Sequence, residues 1–227
     1  CNSSIGGTLV SVFPNIIMKV PANASMQEKS TIYESAVNSP REMSLLEFLK
    51  LGEKYREVIG RLRSCEDKEI RNKIKRTELP CATISASFTS RASSKAVEEK
   101  LKRYNSLMVL DFDNLEDPAA AKEELSQLPF FWYIGLSVGG KGLFGIVPLG
   151  TDDHNEHKVY FNALRKELDL FGYEVDKACC DVTRLRVVSY DPDAYFNENC
   201  ELFCIDELED DGSEIYSPAS AAERPQD

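Results

Sequence analysis

The chain reads as an α+β domain whose strands and helices follow the order β-α-β-β-α-β between Ser106 and Tyr190. Three features predict this. An apolar run from Ser106 ends in acid at Asp111 and Asp113, as a buried strand reaching the surface does. Phe131 to Ser137 and Leu143 to Pro148 flank Gly139, Gly140, Lys141 and Gly142, the pattern of a tight hairpin. A stretch opened by Asp152 or Asp153 spaces Tyr160, Ala163, Leu164, Leu168 and Phe171 at helical intervals and stops at Gly172, where a left-handed C′ residue belongs.

The remaining elements follow in order. Residues 1 to about 40 hold short apolar runs broken by Pro14 and Pro21 and read as a strand-like lead-in. Ser44 and Glu47 have capping-box spacing, so a helix starts there, and a second helix runs from about Asp67 to Arg76. Ala82 to Phe88 is a strand rich in small residues. Asp117 and Pro118 supply an N-cap and a first-turn proline for a helix over Ala119 to Leu128, which Pro129 ends. Arg184 to Tyr190 is the fourth strand of the core. This order is the split βαβ unit of ferredoxin-like and RRM-like folds. Right-handed crossovers place its first and third strands at the centre of an antiparallel sheet, pair the first with the fourth, and put both helices on one face. The other face is left for a site or another subdomain. The expected division is an accessory α/β subdomain over 1–78, the core over 79–208 and an acidic, Ser/Pro/Ala-rich tail over 209–227 that suits a linker.

Composition narrows the class. No apolar run approaches the roughly 20 residues that cross a bilayer, and the start at Cys1 has neither a basic n-region nor an apolar h-region. A chain beginning at Cys1 rather than Met is expected to be a fragment or a processed product. The 7 cysteines form an odd set without regular spacing, which points to a reducing cytoplasm rather than a disulfide framework. Cys200 and Cys204 lie far in sequence from His154 and His157, which argues against a structural zinc. Both histidines are expected as exposed residues at a helix start, and Cys179 and Cys180 as core or loop fillers. The net charge of -11 is unevenly spread. From Pro192 to Glu223 there is no Lys or Arg, whereas Lys54 to Arg103 holds 14 basic residues against 7 acidic. That basic body is either a solvated helix surface or a polyanion footprint.

The chemistry concentrates at strand ends. Asp111 and Asp113 are two apart on a strand and share a face, while Met108, Leu110 and Phe112 point the other way. Paired carboxylates are costly without a counter-charge, and a divalent cation, Mg²⁺ or Mn²⁺, resolves that cost. Arg184 and Arg186 share one face of the fourth strand, with Leu185 and Val187 on the opposite, core-like face. Pairing of strands one and four brings these arginines to the acids as bidentate phosphate ligands, and Asp176 just upstream offers a third metal oxygen. The alternative is an internal Arg–Asp network without substrate. Gly139 and Gly140 let backbone amides approach an anion, with Lys141 as a point charge, although the Walker spacing is missing.

These elements resemble the archaeo-eukaryotic primase superfamily, in particular its primase-polymerase branch and the virulence-associated protein E N-terminal domains of bacterial mobile elements. Three motifs carry the resemblance: Val109 to Asn114, Ser137 to Phe144, and Val175-Asp176 followed by Asp181 to Arg186. Ile84 to Phe88 after Leu79-Pro80 is also similar to the segment that precedes the first motif, so the likeness covers about Leu79 to Pro192. The resemblance implies metal binding by Asp111, Asp113 and Asp176, and places Ser137, Lys141, Arg184 and Arg186 near an incoming nucleotide. It further implies template-directed nucleotidyl transfer on DNA, with a helicase domain as partner in a longer protein. The second motif departs at Phe144, where a phosphate-contacting His is expected, and a phenyl ring donates no hydrogen bond. A nucleic-acid-binding module without turnover, and a cyclase-like palm domain, are the alternative expectations.

Overall fold

The computed structural model describes residues 29–33 and 41–205; the rest of the expected lead-in and the acidic tail from 206 lie outside the described residues. The chain opens with β1 (Lys29–Tyr33) and β2 (Arg41–Ser44), then α1 (Leu45–Lys54), α2 (Arg56–Ser64) and α3 (Lys68–Thr77). Ser44 caps α1 with the expected reciprocal box to Glu47, and Asp67 caps α3 by accepting from the backbone of Glu69 and Ile70. The small-residue strand is two strands, β3 (Cys81–Thr83) and β4 (Ala86–Phe88), the second paired with β5 (Leu101–Tyr104) after a short α4 (Val97–Lys100).

The core region follows as β6 (Leu107–Phe112), α5 (Pro118–Leu125), β7 (Tyr133–Leu136), β8 (Leu143–Pro148), α6 (His157–Leu170) and β9 (Leu185–Val187), with β10 (Tyr195–Phe196) beyond. Asp117 caps α5 with Pro118 in its first turn. α6 closes in a Schellman arrangement: the Tyr173 N–H donates to Leu168, the Gly172 N–H donates to Asp169, and Gly172 has φ 80°.

Mixed α/β architecture with antiparallel sheets is as expected, but the fourth core strand is not. β6, β8 and β7 lie in the expected antiparallel order, and β10 extends the sheet at β7. β9 does not pair with β6. It joins β3 in a second sheet ordered β2-β1-β3-β9. The cause is local. The Asp176 N–H donates to the Asp111 carbonyl at 3.0 Å, and Asp176 then caps a 3-10 turn over Lys177–Cys180 that leads the chain away from β6. Residues on both sides of Leu79 therefore share one sheet, β1 and β2 lying before it and β3 and β9 after it.

Both faces of the β6–β8–β7 sheet are buried. Met108, Leu110, Phe112, Leu143 and Val147 pack with Leu125 of α5 and with Phe161, Leu164 and Leu168 of α6. Leu107, Val109, Phe144 and Ile146 pack with Leu45, Phe48, Ile59, Leu62 and Ile74 of the first three helices. The second face is thus covered by the first part of the chain, and a site can open only at its rim.

Candidate functional site

A cleft of about 470 Å³ lies at that rim. β6 supplies Asp111 and the residues just beyond it, Asp113 and Asn114; the hairpin turn supplies Ser137 to Gly139, Lys141 and Gly142; β9 supplies Leu185 to Val187, with Arg184 just before it; α3 supplies Arg71 and Lys75. The turn fits closely over the end of β6. A Cβ on Gly142 would lie 2.2 Å from the Phe112 carbonyl oxygen, and Gly140 takes φ 75°, so neither position accepts an ordinary side chain without strain.

Asp111 is the electrostatic centre. It is 5 % exposed, and its two oxygens are taken separately, Oδ1 by Arg186 and Oδ2 by Arg184 at 3.1 Å. Arg184 also reaches Asp176 at 2.5 Å. Burial alone would raise the Asp111 pKa, but Arg186 and then Arg184 outweigh it and hold the carboxyl below its ordinary value. Arg186 is itself only 8 % exposed and lies over the Phe144 ring at 4.8 Å. Phe144 is the cross-strand partner of Asp111 and is 1 % exposed, stacked against Tyr133 at 5.0 Å. It therefore lies on the same face as Asp111 but is sealed beneath Arg186.

Most of the expected site residues meet here. Asp113, Ser137, Gly139, Lys141, Arg184 and Arg186 line the cleft with Asp111, while Gly140 forms the turn against Arg63. Ligand atoms of Asp111, Asp176 and Cys179 lie within 4.8 Å of one another. Asp113 is exposed at the rim and is not in that group. Burial, and then the Asp111 charge, push the Cys179 thiol up to about 12, and the other two members of the group offer carboxylate oxygens. Hard oxygen donors suit Mg²⁺ or Mn²⁺ rather than a thiolate metal.

Two expectations are corrected. Leu185 and Val187 are half-buried and line the cleft, although Val187 also packs against the core beneath the first three helices, and Arg186 between them is the buried residue. His157 is not exposed; it is 2 % exposed with Nδ1 2.7 Å from the Tyr104 hydroxyl, and burial lowers its pKa to about 4. Sequence reasoning also missed Arg71 and Lys75. They are four apart on α3 and flank Ile74, its buried residue, so the spacing turns them toward the cleft together.

The family profile described as BT4734-like, N-terminal domain, matches residues 74–196, over half of the chain, and the chain belongs to that family. Comparison with curated proteins and with solved structures gave no match.

Proposed function

We propose that this domain binds a nucleoside triphosphate with Mg²⁺ or Mn²⁺ and performs template-directed nucleotidyl transfer, as a primase-polymerase-like module serving mobile-element DNA replication in the cytoplasm. The observation that carries the reading is the convergence of Asp111, Arg184 and Arg186 beside the glycine turn in one cleft, with Asp176, which is not part of the cleft lining, paired to Arg184 and within ligand reach of Asp111. Carboxylates that hold an ion, next to guanidinium groups that hold phosphate, are what in-line transfer of a nucleotide requires. In this account Asp111 and Asp176, with Asp113 at the rim, would hold the ion, which would neutralise phosphate charge, and Ser137, Gly139, Gly140 and Lys141 would border the phosphates. Both Asp111 oxygens are engaged by arginine, so holding an ion would require Arg184 and Arg186 to loosen their grip on Asp111, and they would then be free to bind phosphate. The DNA template and a helicase domain in a longer chain are the partners of this proposal. Among the described residues no helix is long and apolar enough to cross a membrane.

A second reading, binding of nucleic acid without turnover, is favoured by Phe144, which stands buried where a phosphate-contacting His is expected. Incorporation of labelled nucleotide into a primed template, with Mn²⁺ and with DNA binding measured in parallel, separates the two. Metal-dependent extension that Asp176→Asn abolishes supports transfer. DNA binding without extension leaves the second reading, and neither activity removes both.

A further inference from the structure

Beside the Asp111 network, the same cleft carries cations that are not held in ion pairs. Arg71, Lys75 and Lys141 line it, and none forms an ion pair among the described residues. Burial and the neighbouring Arg71 charge lower the Lys75 pKa, against the opposing pull of Asp113. Among the described residues six buried side-chain polar atoms lack a hydrogen-bond partner, and three of them, Nε of Arg71, Arg184 and Arg186, belong to residues of this cleft. Buried N–H groups nearly always find acceptors, and arginine offers no acceptor to another arginine. The Arg71 guanidinium also lies against the glycine turn, since a Cβ on Gly139 would stand 3.1 Å from its terminal nitrogen. The complement of such a surface is rich in acceptors, anionic, and longer than one phosphate, because the cations are spread from α3 across the turn to the end of β6.

We infer that Arg71 and Lys75 of α3 are the grip for a chain of adjacent phosphate groups, the polyphosphate tail of a nucleotide, and that this grip works without a metal ion. The assignment rests on the nucleotide reading of the cleft only for the identity of the anion. Arg71 lies outside the family-matched residues 74–196, so the site is composite and its phosphate end depends on the preceding helices.

The test is titration of the full chain with inorganic tripolyphosphate in the presence of chelator. Wild type binds, and Arg71→Gln with Lys75→Gln loses on the order of tenfold or more in affinity, the scale of lost charge-assisted hydrogen bonds. Lys73→Gln with Arg76→Gln, exposed positions on the same helix, removes the same charge and leaves binding unchanged. Equal loss in both pairs, or no loss in the first, overturns the inference. Should the first pair unfold in a melting control, Lys75→Gln alone is read in its place and carries a several-fold loss. An oligonucleotide without terminal phosphate is the second arm: if it binds more tightly, with the same dependence on Arg71 and Lys75, the ligand is a nucleic-acid backbone and the tail assignment is wrong. Mn²⁺-dependent triphosphate binding that needs Asp176 but ignores Arg71 and Lys75 would sink this inference alone. Metal-free tripolyphosphate binding without any effect of Mn²⁺ would sink the nucleotidyl-transfer reading alone.

Discussion

The two faces of the β6–β8–β7 sheet are both buried, yet they are held by different forces. Beneath α5 and α6 the residues of β6 are Met108, Leu110 and Phe112, and that face is apolar throughout. On the other face the alternating positions are Leu107, Val109 and Asp111, and the last is closed by Arg184 and Arg186 rather than by carbon. An apolar face tolerates loss of part of its area in proportion to that area. A buried ion network does not, since removing one member leaves its partners charged and dry. The least forgiving interaction of this sheet thus lies at the point where the cleft opens.

Substitution within that network should have the largest effect. Asp111→Asn leaves Arg186 without its buried partner and is expected to destabilise by about 3–5 kcal/mol, read from urea unfolding. The contribution is present above the ordinary carboxyl value of 3.8 and is lost as pH falls through the lowered folded value. Asp111→Leu combined with Arg186→Met should recover much of the loss; if the single change costs less than about 1 kcal/mol, the two faces do not differ as described. On the apolar face Leu110→Ala is expected to cost about 2–5 kcal/mol without any dependence on the carboxyl titration.

Phe144→His comes next. The ring is sealed between Arg186 and Tyr133, so the change should cost roughly 2 kcal/mol or more and gain no triphosphate affinity. Tighter metal-dependent binding by this variant would show that the position faces the ligand after all.

The smallest effect concerns the buried His157 at the start of α6. Burial, opposed by Asp181 and assisted by His154, lowers its pKa from 6.5 to about 4. The unfolded chain therefore takes up a proton between pH 6.5 and 4 that the folded chain refuses, and stability should fall as pH drops through that window. His157→Asn should flatten this part of the profile, and an unchanged slope would place the titration elsewhere.

What the sequence disclosed was decided within a few residues. The Ser44 and Asp117 caps and the Gly172 stop were legible because each depends on its own turn of helix. The approach of Arg184 and Arg186 to Asp111 was anticipated from strand alternation, though by a pairing that does not form. The partner of β9 is β3, about a hundred residues earlier in the chain, and no local pattern encodes that choice. His157 was misread because its hydrogen-bond partner Tyr104 belongs to β5, a strand whose half-buried, charged sequence carries little apolar signal. Arg71 and Lys75 are indistinguishable by composition from the exposed Lys73 and Arg76 beside them; only the packing of Ile74 sorts the pairs.

The central claim, that the carboxylates of this cleft hold a divalent ion together with a nucleotide, is tested most directly with Asp176→Asn. Asn caps a helical turn as well as Asp, so the bond to Ala178 survives, and Asp111 keeps both its arginines. The variant removes the partly exposed Asp176–Arg184 ion pair but leaves Arg184 paired to Asp111, so it changes the ion's ligands at a small cost to the fold. Calorimetric titration with a non-hydrolysable nucleoside triphosphate, with and without Mn²⁺, is the measurement. The account predicts that Mn²⁺ strengthens binding to wild type and that Asp176→Asn abolishes this gain while melting near the wild-type temperature; an equal Mn²⁺ gain in both proteins, or none in either, would contradict it.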